Sequence, residues 1–165
     1  MIATHWLNGE LPPLAAKNAK AVFFNITSNH DRRHMVRAIM EGICYTHRWY
    51  KEKYESFTGK KLDSIRVVGG GANSDIWMQI LSDVLQIPVH IPENPRHTGA
   101  MGTYYCAMIG LGYLKDYNEI YDTVRIAKVF NPNKDNAEAY NRLYNIYSKL
   151  YLSLKDLYDE INGVY

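Results

Sequence analysis

Three features of the sequence predict an α/β fold. A β-branched run, Ser64-Ile65-Arg66-Val67-Val68, meets three glycines, Gly69 to Gly71, and leads into a helical stripe of Trp77, Ile80, Leu81, Val84 and Leu85, which is the order strand, glycine turn, helix. A second short strand, Pro88-Val89-His90-Ile91, follows that helix, so the two strands are expected to run parallel across a right-handed helical crossover. Long amphipathic stripes on either side of this unit supply the helices that cover it.

Taken in order, residues 1–21 contain the pair Pro12-Pro13 and no sustained period, and are expected to be irregular. Ala21-Val22-Phe23-Phe24 is a short strand or buried extended segment, and Ser28 or Asn29 is placed to cap the helix that follows. Met35, Ala38, Ile39, Gly42, Ile43, Thr46, Trp49, Tyr50 and Phe57 recur at spacings of three and four, which predicts a helix from about Asp31 to Phe57 closed by Gly59. After the second strand, the segment from His97 to Gly112 carries Gly99, Ala100, Gly102, Ala107 and Gly110 at roughly helical spacing, a face that can approach a neighbouring backbone. A short helix is expected near Asp116 to Thr123. A last long helix carries Tyr140, Leu143, Tyr144, Tyr147, Leu150, Tyr151, Leu154, Leu157 and Ile161. The strands found near Ala21–Ile26, Ser64–Val68 and Pro88–Ile91 make a thin sheet with a bare edge, and bare edges pair, so a homodimer or a rearrangement covering that edge or the tyrosine face is expected.

Composition narrows the function classes. The 165 residues, 47% of them hydrophobic, suit a single globular domain with its own core. Nineteen Lys and Arg against seventeen Asp and Glu give a net charge of +2 with no basic run, which gives no reason to expect nucleic acid or an anionic membrane as partner. No apolar run reaches the roughly 20 residues of a membrane span and no signal pattern opens the chain, so a cytoplasmic protein is expected. Cys44 and Cys106 lie in separate apolar stretches and read as two reduced core thiols.

The segment richest in chemistry is Gly69-Gly70-Gly71-Ala72-Asn73-Ser74. Glycines let backbone amides come close to a ligand, and the N-terminus of the next helix adds unpaired N–H donors and a partial positive charge, which together suit a phosphate. The segment lacks the Gly-Lys-Ser/Thr of a Walker loop, and Ser74 stands where the dinucleotide fingerprint has its third glycine. On its own, a glycine triplet between strand and helix is more often a tight turn than a ligand site.

The stretch from Val67 to Val84, with Pro88-Val89 and Thr98-Gly99-Ala100-Met101-Gly102 beyond it, resembles the adenosine-binding region of the FGGY carbohydrate kinases in residue type and spacing. Ala21-x-Phe23-x-Asn25-Ile26 followed by His34-Met35-x-x-Ala38-Ile39-Met40-Glu41-Gly42 is similar to the family's second signature, with Asn25 where glycine is usual. Trp6-Leu7-Asn8-Gly9-Glu10 resembles the family's lead into this block, and Ala15-Ala16-Lys17-Asn18 replaces the acidic and Arg-Gly residues common there. The resemblance implies a ribonuclease H-like C-terminal lobe of the actin, hexokinase and Hsp70 type, with residues 1–165 as one nucleotide-binding domain. It also implies ATP or ADP with Mg2+ as ligands, and a sugar or sugar acid, xylulose or gluconate ahead of glycerol, as acceptor. Gly70 and Gly71 would face phosphates or ribose, and Ala72, Asn73 and Ser74 would lie near the adenosine; Trp77 and Gln79 would position the helix. In the family the catalytic base and most magnesium ligands come from upstream segments, so no catalytic or metal residue is assigned here and the isolated chain is expected to be inactive.

Other candidates have bland readings that outweigh them. His30 and His34, four apart, could share a metal, but no acidic partner completes a zinc pattern and helix-start contacts are the default. Arg37 and Glu41 make a helical ion pair, while Arg32 and Arg33 could reach an anion. Asp75 suits a helix N-terminus and Asp83 is expected to be solvated or paired. The tyrosine stripe is read as packing ahead of carbohydrate stacking. Two further whole-chain readings stay open: a non-catalytic nucleotide- or partner-binding relative of the same fold, and a nicotinamide-binding domain, which would need an acidic residue at the end of the second strand, where Pro92-Glu93 stands.

Overall fold

The computed structural model describes residues 1–11, 15–121 and 124–163. Five strands and five α-helices are named here in chain order: β1 (Ile2–Ala3), β2 (Phe23–Phe24), α1 (Arg32–Thr58), β3 (Ile65–Arg66), α2 (Asp75–Leu85), β4 (Val89–Pro92), α3 (Thr98–Gly110), α4 (Asn118–Tyr121), β5 (Ile126–Phe130) and α5 (Ala137–Asn162). The strand, helix, strand unit is present as expected: β3 and β4 are parallel, Ile65 opposite Val89 and Arg66 opposite His90, with α2 between them in sequence. Short 3-10 helices follow each of these two strands, at Gly70–Asn73 and Pro95–His97.

Two strands escape the sequence reading. β5 pairs antiparallel with β4 and gives a three-stranded sheet in the order β3-β4-β5, so β4 is paired on both sides from within the chain and the sheet edges are β3 and β5. β1 pairs antiparallel with β2, and the lead-in is not simply irregular: Ile2, Ala3, Trp6, Ala16 and Ala19 are all buried. Pro12 and Pro13 lie outside the described residues.

The two long helices form where the periodicity puts them. α1 is capped by Asp31, beyond Ser28 and Asn29, because the Asp31 carboxylate reaches the N–H groups of Arg33 and His34 while the His34 ring returns to the Asp31 N–H. Gly59 ends it in the left-handed conformation, φ 68°, with its N–H on the Glu55 carbonyl. The tyrosine face of α5 is core: Tyr140, Tyr144 and Tyr147 are buried and surround Tyr45 of α1, with ring centroids 6.4, 6.2 and 5.3 Å away. Trp6 closes the cluster edge-on to Tyr147 at 5.8 Å. Such pairs each add about 0.5–1.5 kcal/mol beyond area burial, enough to fix how α5 lies on α1.

The hydroxyls of the three α5 tyrosines are satisfied in ways that lock the helices together, while the buried Tyr45 hydroxyl has no partner among the described residues. The Tyr144 hydroxyl donates to Glu52 at 2.6 Å, Tyr147 and Thr46 share a bond of 2.8 Å, and Arg37, paired with Glu41, also donates to the Tyr140 hydroxyl at 3.0 Å. Burial pushes the Tyr140 phenol up to about 12, so it stays neutral at any physiological pH.

α3 departs from expectation. None of its residues is buried, and a methyl added at Gly99, Gly102 or Gly110 would meet nothing, so its small-residue face has no neighbour among the described residues. Cys106 on this helix is exposed and not a core thiol, because the helix itself is not covered; Cys44 on α1 is buried, which raises its thiol to about 12.

Glu55, at the end of α1, is nearly buried and accepts from the Leu62 N–H at 3.0 Å, Lys61 at 3.0 Å and Lys51 at 3.1 Å. The backbone bond from Leu62 and the two ammonium groups hold its carboxyl at about 2, below the ordinary 4.5. A folded value below the unfolded one means that stability is complete above pH 4.5 and drains away as pH falls toward 2. Glu55→Gln is therefore expected to cost about 1 kcal/mol near neutrality, after allowance for solvent screening of the pair with the exposed Lys61, and to flatten the acid limb of the stability curve. Urea unfolding of both proteins at neutral and acid pH measures this; parallel acid limbs would contradict it.

Candidate nucleotide site

The glycine segment is held at both ends. Gly69 follows β3 with φ 98°, a conformation that side-chain-bearing residues resist, and its N–H donates to the Pro95 carbonyl at 2.8 Å. That bond joins the turn after β3 to the turn after β4, and the Thr98 hydroxyl donates to the same carbonyl at 3.1 Å. From Gly70 to Asn73 the chain makes one 3-10 turn, in which Ala72 returns to the Gly69 carbonyl at 3.3 Å and Ser74 to the Gly71 carbonyl at 3.1 Å. Gly70 and Gly71 open this turn, so their N–H groups have no partner inside it.

The six residues proposed from sequence do not all face outward. Gly70 and Asn73 are exposed, Gly69, Gly71 and Ser74 are half-buried, and Ala72 is buried in the core. Ser74 is the N-cap of α2, its hydroxyl accepting from the Trp77 N–H, and the Asn73 amide donates to the Gly70 carbonyl at 3.3 Å. A methyl added at Gly70 would meet nothing, whereas one at Gly71 would stand 3.1 Å from the Trp77 ring. Open space over Gly70, beside the two N–H groups that the turn leaves over and a capped helix start, is a cradle that fits a phosphate or ribose edge.

Beside the turn lies a cleft of about 270 Å3 lined by Asn94, His97, Thr98, Met101, Tyr105 and Arg125. Sequence reading does not single it out, although Thr98 to Gly102 belong to the stretch that carries the resemblance; Asn94 bends the chain there in a left-handed conformation, φ 51°. Both the cleft and the glycine turn lie beyond the carboxyl ends of the parallel strands β3 and β4, where open α/β sheets bind ligands.

The other charged candidates are engaged elsewhere. Asp75, in the first turn of α2, pairs with Lys128 of β5 at 2.7 Å. Asp83 is buried, not solvated, and accepts from the Gln79 amide, the Asn133 N–H and the Asn136 amide at 2.7, 2.8 and 2.8 Å, tying α2 to the start of α5. His30 accepts from the Thr27 N–H at 2.9 Å and His34 serves the Asp31 cap, so both rings are occupied at the helix start. Among the described residues no three His, Cys, Asp or Glu side chains come together in a way that could hold a metal. None of the described helices is long and apolar enough to cross a membrane.

Residues 1–111 match the FGGY family of carbohydrate kinases, C-terminal domain. The xylulose kinase of Bacillus subtilis (strain 168) is 32% identical over 160 residues, which is 95% of this chain and 31% of that protein. Among solved structures, the ligand-bound xylulose kinase from Lactobacillus acidophilus superposes with a TM-score of 0.82 at 26% identity, over 96% of this chain and 32% of its own. Gluconate kinase from the same organism gives 0.81 at 26%, again over 96% and 32%. The chain thus spans about a third of the length of the relatives it matches. A family match over two thirds of the sequence, a glycine turn at the carboxyl end of a parallel strand, and a superposition that covers nearly every residue agree: this chain belongs to the FGGY family of carbohydrate kinases, as its C-terminal domain.

Proposed function

We propose that the chain is the nucleotide-binding part of an ATP-dependent kinase that phosphorylates a hydroxyl of xylulose or gluconate. The observation that carries this reading is the exposed Gly70 with its open approach, set between the carboxyl end of β3 and the N-terminus of α2. The similarity to xylulose kinases and to a gluconate kinase supports the acceptor class.

In this reading ATP supplies the phosphoryl group, with Mg2+ neutralising charge on its phosphates. The chain's own part is to bind and orient: the N–H groups of Gly70 and Gly71 take phosphate or ribose oxygens, the α2 N-terminus adds a favourable field, and the Pro95 carbonyl fixes the turn through Gly69. Asp75 and Asp83 are committed to Lys128 and to the α5 connection, so neither is free to take the acceptor's proton. The base and the remaining phosphate and magnesium ligands belong to the other lobe of such a kinase, and phosphoryl transfer depends on positioning and electrostatics from both sides at once.

The expected result of an ADP-release assay with pentoses, hexoses, gluconate and glycerol is no turnover by the 165-residue chain alone. Sugar-dependent turnover is expected when the chain is joined to the N-terminal lobe of such a kinase. Turnover by the chain alone would show that it carries a base of its own, and a joined protein that binds nucleotide but stays inactive would favour a non-catalytic relative of the fold.

A further inference from the structure

We propose that Trp77 is the positioning residue of the glycine turn, holding Gly70 and Gly71 at the height at which their N–H groups meet a nucleotide. The inference rests on the nucleotide reading given above and assigns the control of that site to one side chain.

Three contacts place Trp77 between the turn and the long helix behind it. Its six-membered ring lies so close to Gly71 that an added methyl would stand 3.1 Å from Cζ3 and 3.5 Å from Cε3. Its indole N–H donates to the Met40 carbonyl, in the middle of α1, at 3.2 Å. Its backbone N–H is the one that the Ser74 cap receives, at 3.4 Å, so the same residue fixes the first turn of α2. The ring therefore cannot shift without breaking a bond to α1, and Gly71 cannot sink toward α1 without meeting the ring.

Ala72 anchors the turn in the core, while Gly71 borders open space. A cavity of about 150 Å3 lies next to it, bounded by Ile43, Cys44 and His47 of α1, by Val67 and by Gly71 and Trp77 themselves. Loosely packed walls let a short backbone segment adopt more than one height, and a wide, rigid ring tied at its far end removes that freedom. Gly71 is then glycine because of Trp77, whereas Gly70 is open to ligand, and the two adjacent positions have separate physical causes. Any displacement of α1 at Met40 reaches the turn through the indole.

The test uses the 15N-labelled chain with four changes: Trp77→Phe, Trp77→Leu, Gly71→Ala, and Gly71→Ala with Trp77→Leu. Two readouts are taken, the Gly70 and Gly71 amide resonances with their solvent exchange, and the affinity for Mg-ADP. Trp77→Leu should shift and broaden both glycine amides, speed their exchange, and weaken Mg-ADP about tenfold, and Trp77→Phe, which keeps a ring but loses the bond to Met40, should fall between it and the parent. Gly71→Ala alone should also cost about tenfold, and should add little in the double variant, where the smaller leucine side chain leaves room for the methyl, because both changes act on one contact. Strictly additive losses, or Gly70 and Gly71 amide exchange unchanged in Trp77→Phe, would overturn the proposal. If Trp77→Leu does not fold, Trp77→Phe and Gly71→Ala decide it on the amide readout. Should the parent chain show no response to Mg-ADP while the glycine amides still follow Trp77, the nucleotide reading fails and the positioning of the turn stands.

Discussion

Gly70→Val is expected to leave the fold intact and to weaken adenine-nucleotide binding by about a hundredfold or more. The first half follows from geometry: Gly70 does not have a positive φ, and a Cβ built there meets no protein atom within 4 Å. The second half follows because the same empty space is where a phosphate or ribose must sit to reach the two amides, and a β-branched side chain fills it. The neighbours cannot serve as this test. Gly69 has a φ of 98°, so a side chain there strains the backbone, and Gly71 abuts Trp77. Calorimetry on a version joined to the N-terminal lobe of such a kinase, with thermal unfolding as the control, separates the two effects; unchanged affinity would remove the turn from the site.

Gly42→Ala is expected to destabilise the protein by about 3 kcal/mol. In an exposed helix the change would stabilise by about 1 kcal/mol, since alanine is the better helix former. Here the methyl would fall on the Ala3 carbonyl oxygen of β1, which is backbone and has no rotamer to move. Tight packing wins over propensity, and α1 must lift from β1, opening the cluster around Trp6 and Tyr147. Urea denaturation checks the sign directly: a stabilised Gly42→Ala would mean that α1 and β1 are not in contact.

α1, α2 and α5 are legible because each carries a one-sided stripe long enough to show its period, as in Tyr140, Tyr144, Tyr147 and Leu150 of α5, all buried. β3 and β4 are legible because their β-branched runs end at glycine or proline. β5 escapes notice because it is an edge strand whose middle, Ala127-Lys128-Val129, is exposed, so that no alternation marks it, and its one strong signal is the partner β4. β1 is two residues long, and its burial comes from the crossing at Gly42, a contact that no local pattern announces.

The glycine turn is legible as a turn between strand and helix but not in its division of labour. The glycine triplet points to a close backbone approach, yet the three glycines answer three separate demands: conformation at Gly69, open space at Gly70 and an indole ring at Gly71. Asn25, where the family pattern has glycine, adopts φ 63°, a left-handed conformation that glycine favours and asparagine tolerates. Ser28, Asn29 and Asp31 are all good caps for α1, and local pattern does not choose among them; His34 closing the box decides for Asp31.

Whether Gly69 to Ser74 form a nucleotide site is decided most directly by titrating the 15N-labelled chain with Mg-ADP. Amide shifts are expected to saturate in about the millimolar range, since half a cleft binds weakly, and to centre on Gly70 and Gly71 with smaller changes at Asn73 and Thr98. Shifts that leave the glycine turn untouched and gather elsewhere, on α5 or on the basic start of α1, would contradict it.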